Sequence, residues 1–184
     1  MQPFLLNAIL ALRTTPRIIT IDGPAGSGKT FLAHELASAI RKHSLTVEVI
    51  HMDDLYNGWD DALTATLSET LIDIIRQSSS PEIAYRAFDW NLNTFSDVKS
   101  ISTPDVLILE GVGSGQSAIR SSVSLSIWIE VSPELGLKRV LERDGDSVAP
   151  FMDQWQFNQN SHFLHENTKG ASDYCLDGAP SASL

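Results

Sequence analysis

An eight-residue stretch, Gly23-Pro24-Ala25-Gly26-Ser27-Gly28-Lys29-Thr30, has the form G-x-x-x-x-G-K-[ST]. That spacing is the signature of a phosphate-binding loop. A short apolar, β-branched run at 17–22 precedes it and reads as a buried strand. Residues 31–43 follow, with apolar side chains at 32, 33, 36, 37 and 40, which is helical spacing. Strand, glycine-rich turn and helix together form the context such a loop requires. The glycines let the backbone curl so that successive N–H groups point inward, toward phosphate oxygens. The helix N-terminus adds the positive end of its dipole. In such a loop Lys29 reaches the outer phosphates and the Thr30 hydroxyl ligates Mg²⁺. The competing reading is a glycine-rich turn that matches by chance.

The chain has 184 residues, which suits a single domain spanning 1–184 with a well-buried core. Its formal charge of −10 argues against a nucleic-acid footprint, because neutralising a phosphate backbone needs a basic face. The same charge is no obstacle to a nucleotide, since loop amides, Lys29 and Mg²⁺ supply positive potential locally. The lone Cys175 excludes an internal disulfide and a zinc framework, and a reducing cytoplasm fits. No apolar run approaches the roughly 18 residues of a membrane span. The apolar run at 4–12 raises a signal peptide, but it lacks a basic n-region and an A-x-A-like cleavage site. It is read as a short amphipathic helix within 1–16, ended by Thr14-Thr15-Pro16.

Strands are expected at 45–51, 83–88 (short, an edge candidate), 105–109, 125–131 and 173–176. Helices are expected at 61–76, 116–121, 133–143 and 151–167, the last anchored by Phe157 and Leu164. Residues 96–104 read as a polar connection, 144–150 as a turn-rich break, and 177–184 as a fraying end. Strands alternating with helices predict an α/β fold, a three-layer arrangement with a mostly parallel sheet and helices on both faces. Ligands of such sheets bind outside the carboxyl ends of the strands. That rule brings together the glycine-rich loop after the first strand, Asp53 and Asp54 after the second, Asp89 after 83–88, and Glu110 after 105–109.

Phosphoryl transfer needs positioned phosphates, Mg²⁺, cations for transition-state charge and a group that orients the attacking oxygen. Asp53 is the candidate base for an acceptor hydroxyl, or a loop aspartate making a local turn bond. Asp54 is a candidate for holding Mg²⁺ through water. Glu110 ends an apolar strand and is the second candidate for the metal, with a turn cap as its alternative. Asp89 is placed to accept bonds from a sugar-like hydroxyl. Tyr56, Trp59, Tyr85 and Trp90 could wall an acceptor pocket or pack in the core. Arg139 and Arg143, four apart on one helix, are candidate clamps on the phosphates or members of a solvated face. The histidines at 34, 43, 51, 162 and 165 show no metal-ligand pattern.

Taken in order, these segments resemble the uridine kinase-like branch of the P-loop small-molecule kinases. The resemblance rests on the glycine-rich loop with the preceding Ile21-Asp22, on Asp53-Asp54-Leu55-Tyr56, on Phe88-Asp89-Trp90, on Leu109-Glu110-Gly111 and on Arg139-Val140-Leu141-Glu142-Arg143-Asp144. The closing stretch from Ala171-Ser172-Asp173 to Asp177-Gly178 adds to it, so that the likeness covers roughly 17–178. It implies an ATP- and Mg²⁺-dependent kinase with Asp53 as base for a nucleoside 5′-hydroxyl. It implies that Tyr56 and Asp89 contact the acceptor, and that Arg139 and Arg143 lie on the helix leading into a small lid at about 144–170. Three departures stand out. Gly136 occupies a position where the family carries an arginine, and 145–150 holds none of the lid arginines. Lys169 is the sole cation where short members place arginine. Fewer cations mean less transition-state stabilisation. The expected partner is therefore a small nucleoside-like acceptor, with neither nucleic acid nor membrane, and the expected state is a monomer or homodimer. The rival expectations are a nucleotide-binding regulatory module with little transfer, and a plain NTPase.

Overall fold

The computed structural model describes residues 3–178. Five strands, β1 (Arg17–Asp22), β2 (Val47–His51), β5 (Val106–Glu110), β6 (Leu125–Glu130) and β7 (Tyr174–Asp177), form one parallel sheet in the order β2-β5-β1-β6-β7. Side chains alternate across the central strands, as the two-residue period of a strand demands. Val106 and Ile108 of β5 enter one apolar cluster while Leu107 and Leu109 enter the other. The first cluster is closed by Leu5 and Ile9 of α1 (Pro3–Ala11) and Leu32, Leu36 and Ile40 of α2 (Lys29–Arg41). The second is closed by Leu67, Leu71 and Ile74 of α3 (Ala65–Gln77), Val140 of α4 (Pro133–Asp144), and Met152 and Trp155 of α5 (Ala149–Glu166). The three-layer α/β expectation is met. No helix of the described residues is long and apolar enough to cross a membrane.

Several expectations need correction. The strand at 83–88 lies outside the parallel sheet. It is part of β3 (Glu82–Asp89), which pairs antiparallel with β4 (Thr94–Ser102) as a separate hairpin. The polar connection at 96–104 is mostly that second strand, whose side chains are largely exposed and so carry no apolar alternation. The helix at 116–121 reduces to a single 3₁₀ turn at Arg120–Ser122. The helix expected from 61 starts at Ala65, where the Thr64 hydroxyl caps the Thr66 N–H. Phe157 and Leu164 are not anchors but exposed, at 67% and 84%. Met152, Trp155 and Gln159 face inward instead, at spacings of three and four along α5. Asp177 ends β7 rather than fraying, and Gly178 bonds back to the Glu130 carbonyl. Residues 179–184 of the expected fraying end lie outside the described residues.

Gly136 acquires a packing reason. A Cβ there would lie 2.6 Å from the Ala25 carbonyl oxygen, and a Cβ on Gly26 would lie 2.3 Å from the Gly136 carbonyl oxygen. Helix α4 thus rests backbone-to-backbone on the glycine-rich loop, and an arginine has no room at this position. Glycine to alanine inside a helix ordinarily gains about 1 kcal/mol. Here the clash is with backbone and cannot relax by a rotamer change, so overpacking of about 1–3 kcal/mol should win. Gly136→Ala is expected to lower the urea midpoint. A raised midpoint would show that the contact is loose.

Candidate active site

Strand β1 ends on Asp22, and the chain then curls through 23–28 into α2. Gly28 takes φ 96°, a left-handed conformation at the N-cap, and no heavy atom lies within 4 Å of where its Cβ would be. The loop therefore opens onto free space at the point where a phosphate would meet the helix N-terminus. A cavity of about 510 Å³ lies there, and Lys29, Thr30, Asp53, Glu110 and Arg143 all line it. They come from the loop, from the turn after β2, from the end of β5 and from α4. Three of these four segments converge by the strand-end rule.

Lys29 is 8% exposed, and its Nζ donates to the Gly23 and Pro24 carbonyl oxygens, each at 2.8 Å. Burial pulls its pKa down, while Asp22, Glu110 and Asp53 pull it back up. The Thr30 hydroxyl donates to Glu110 Oε1 at 3.0 Å, and His51 Nδ1 pairs with the same oxygen. That hydrogen bond raises the His51 pKa. Asp53 is an exposed residue that lines the cavity, and the protein packed around its carboxyl, with Glu110 nearby, raises its pKa. Its carboxylate takes no hydrogen bond from the described residues. A hydroxyl and carboxylates around one opening are hard oxygen donors of the kind Mg²⁺ takes, and Asp53, Glu110 and Asp144 face only Lys29 and Arg143 across the cavity. The residues present fit such an ion.

The other expected site residues divide. Trp90 lines the cavity and donates from Nε1 to the Asp53 carbonyl oxygen at 3.0 Å. The Tyr56 ring lines it too, but its hydroxyl is spent on the Val112 carbonyl oxygen at 2.7 Å and offers nothing to an acceptor. Arg143 lines the cavity with its guanidinium held by Asp144 at 2.6 and 2.7 Å. Arg139 does not line it. Its Nη1 binds the carbonyl oxygens of Gly26 and Gly178, which makes it a strut behind the loop. Asp54 turns away and pairs with Lys99 of β4 at 3.7 Å. Asp89 accepts the Asn91 and Leu92 N–H groups in the hairpin turn and stays out of the cavity.

Sequence reasoning missed four contributors. Trp155 and Phe151 of α5 wall the acceptor side and pack on Trp59, with Phe151 stacked at 5.1 Å. Gln159 accepts the Ala25 N–H at 3.1 Å. Asp22 is 1% exposed and accepts N–H bonds from Gly23 at 2.7 Å, Gly115 at 2.8 Å and Gly113 at 3.2 Å. It pins the glycine-rich loop to the segment after β5. A carboxylate closing an apolar strand and preceding the loop glycine was its only sequence signal.

No family model matches the chain. It is 27% identical over 160 residues to a uridine kinase of Lactobacillus johnsonii, covering 76% of this chain and 75% of that protein. Other curated proteins it matches at 24–27% identity, such as that of Leuconostoc citreum, also carry the name uridine kinase. The fold is similar to solved structures as well. A possible uridine kinase from Bacillus stearothermophilus superposes with a TM-score of 0.72 at 21% identity, over 95% of this chain and 96% of that one. A D-glycerate 3-kinase from Cryptococcus neoformans superposes at 0.61 and 14% identity, over 96% and 95%. The likeness to these two structures is one of fold.

In this site the Asp22 pKa is pushed up to about 6 from 3.8, first by burial, against the three N–H bonds and Lys29. The folded value lies above the unfolded one, so ionising Asp22 weakens the fold. Its contribution is full below pH 3.8 and is lost as pH rises to about 6. At about 1.4 kcal/mol per unit the loss is on the order of 3 kcal/mol. In ¹³C NMR the Asp22 carboxyl should titrate near pH 6. The stability of Asp22→Asn relative to wild type should rise by up to about 3 kcal/mol between pH 4 and 7. A carboxyl titrating below its ordinary value would show that the N–H bonds outweigh burial.

Proposed function

We propose that the chain transfers the γ-phosphoryl group of ATP to a hydroxyl of a small molecule, with a nucleoside as the first acceptor to test. The observation that carries this reading is the meeting of Lys29, Thr30, Glu110 and Asp53 on one cavity. Loop amides and Lys29 would hold the phosphates. Thr30 and Glu110 would hold Mg²⁺, which would offset the charge that develops on the phosphate. Asp53, which takes no hydrogen bond on its carboxylate from the described residues and is raised in pKa, would accept the hydroxyl proton as the oxygen attacks phosphorus. Arg143 is the cation left on the acceptor side, and releasing it from Asp144 would let it meet the transferring group. Trp59, Trp90 and Trp155 would wall the acceptor body.

A second reading, a nucleotide-binding module with little transfer, has its own support. Arg139 is committed to backbone, and Gly136 leaves no room for another arginine.

Lys29→Ala should abolish ATP turnover. Asp53→Asn should lower transfer by about 10²–10⁴-fold while MgATP affinity, measured by calorimetry, changes little. Full transfer by Asp53→Asn would remove Asp53 from the base role. Tight MgATP binding with no labelled product from a panel of nucleosides and sugars would favour the regulatory module. Phosphate release that no acceptor accelerates would favour a plain NTPase.

A further inference from the structure

Helix α5 touches both halves of the cavity. Its Phe151, Met152 and Trp155 wall the acceptor side, with Trp155 packed at 5.5 Å from Tyr56 and 5.7 Å from Trp59. One turn further along the same face, Gln159 is 4% exposed and its Oε1 holds the Ala25 N–H. Ala25 belongs to the loop and lines the same cavity.

A loop that binds phosphate turns most of its N–H groups inward. The Ala25 N–H points outward, to a side chain of another element 134 positions away. The bond cannot be given up cheaply, because an amide buried without a partner is costly on both sides. The loop here has little other freedom. Its Gly26 carbonyl is held by Arg139, and the Ala25–Gly26 backbone abuts Gly136. A shift of the loop on filling with phosphate is therefore passed to α5 through Gln159, and α5 carries it to the Trp155 wall.

We propose that Gln159 is a positioning residue that couples the state of the phosphate-binding loop to the acceptor wall at Trp155. This deepens the kinase reading and rests on it for the nucleotide. By linkage the coupling runs both ways: a nucleotide that orders the loop orders the acceptor wall, and an acceptor seated on that wall tightens nucleotide binding. Gln159 touches neither reactant in this role and acts only through Ala25.

The test uses the full chain with MgATP as the probe. Two readouts are followed, the MgATP dissociation constant by calorimetry and the Trp155 indole N–H resonance, assigned with Trp155→Phe. In wild type, saturating MgATP should shift that resonance. Gln159→Met, similar in length but without the acceptor, should weaken MgATP by about 3- to 10-fold. It should also remove most of the Trp155 shift at saturation. Gln159→Glu keeps an oxygen for the Ala25 N–H and should keep the Trp155 shift, with weaker MgATP affinity from its charge. A role in stability alone would lower the melting temperature of Gln159→Met and leave the shift intact, and that result overturns the proposal. So does a wild-type Trp155 resonance that ignores bound MgATP, or a Gln159→Glu variant that behaves as Gln159→Met does. If Gln159→Met does not fold, Gln159→Leu and the wild-type and Gln159→Glu arms still decide. Failure of wild type to bind MgATP at all is a separate result, and it strikes the kinase reading itself.

Discussion

A backbone that turns its N–H groups inward to form an anion cradle must turn carbonyls outward, and those carbonyls need partners. Much of this molecule answers that demand. Lys29 takes the carbonyls of Gly23 and Pro24, Arg139 takes that of Gly26, and Gly136 lets α4 approach that of Ala25 closely. Asp22 then answers the opposite need at the root of the loop, where the Gly23, Gly113 and Gly115 N–H groups point inward with no phosphate to meet. The cost of burying this carboxylate is only partly offset by three N–H bonds and by Lys29 nearby. The loop is therefore held from behind by groups that never face the cavity, which leaves its front open.

This bracing changes the meaning of the arginine-poor sequence. Arg139 looks like a phosphate clamp from its spacing to Arg143, because residues four apart share a helix face. They do share one broadly, but the helix lies against the loop rather than over it. Arg139 reaches the outer carbonyls, and only Arg143, a turn further on, reaches the cavity rim. The glycine at 136 belongs to the same arrangement. Close packing of α4 on the loop leaves no room for a side chain at 136, and Arg143 is the arginine of α4 that lines the cavity.

The glycine-rich loop was legible in the sequence because its rule is local: eight consecutive residues fix the turn, the lysine and the helix start. The central strands were legible because β-branched and leucine runs buried on both faces have few other uses. Asp53 and Glu110 followed from the strand-end rule. The same rule failed at Asp89, since its strand pairs only within the β3–β4 hairpin and has no place in the sheet to which the rule applies. It failed at Asp54 for a different reason. Residues 52–54 form a 3₁₀ turn, in which neighbouring side chains diverge by about a third of a revolution, so Asp53 and Asp54 cannot serve one site. On α5 the error was one of phase. Phe157 and Leu164 are large and apolar, but Met152, Trp155 and Gln159 hold the inward stripe, and a buried glutamine gives an apolar count no signal.

The acceptor wall shows what kind of selectivity this geometry can support. The Tyr56 hydroxyl and the Trp90 indole N–H, two of its polar atoms, are already bonded to backbone carbonyls. What remains toward the centre is aromatic surface from Trp59, Phe151 and Trp155, stacked and crossed at 5.1–5.7 Å. A wall of that kind discriminates by shape and ring contact, each worth about 1 kcal/mol, rather than by matching donors to acceptors. Under the proposed kinase reading, strong selection would then come from placing the hydroxyl against Asp53. That places a demand on α5, because the helix that supplies the aromatic surface is the one that Gln159 ties to the loop. Acceptor fit and loop geometry cannot be tuned separately in such a molecule, and a change on either side of α5 reaches the other.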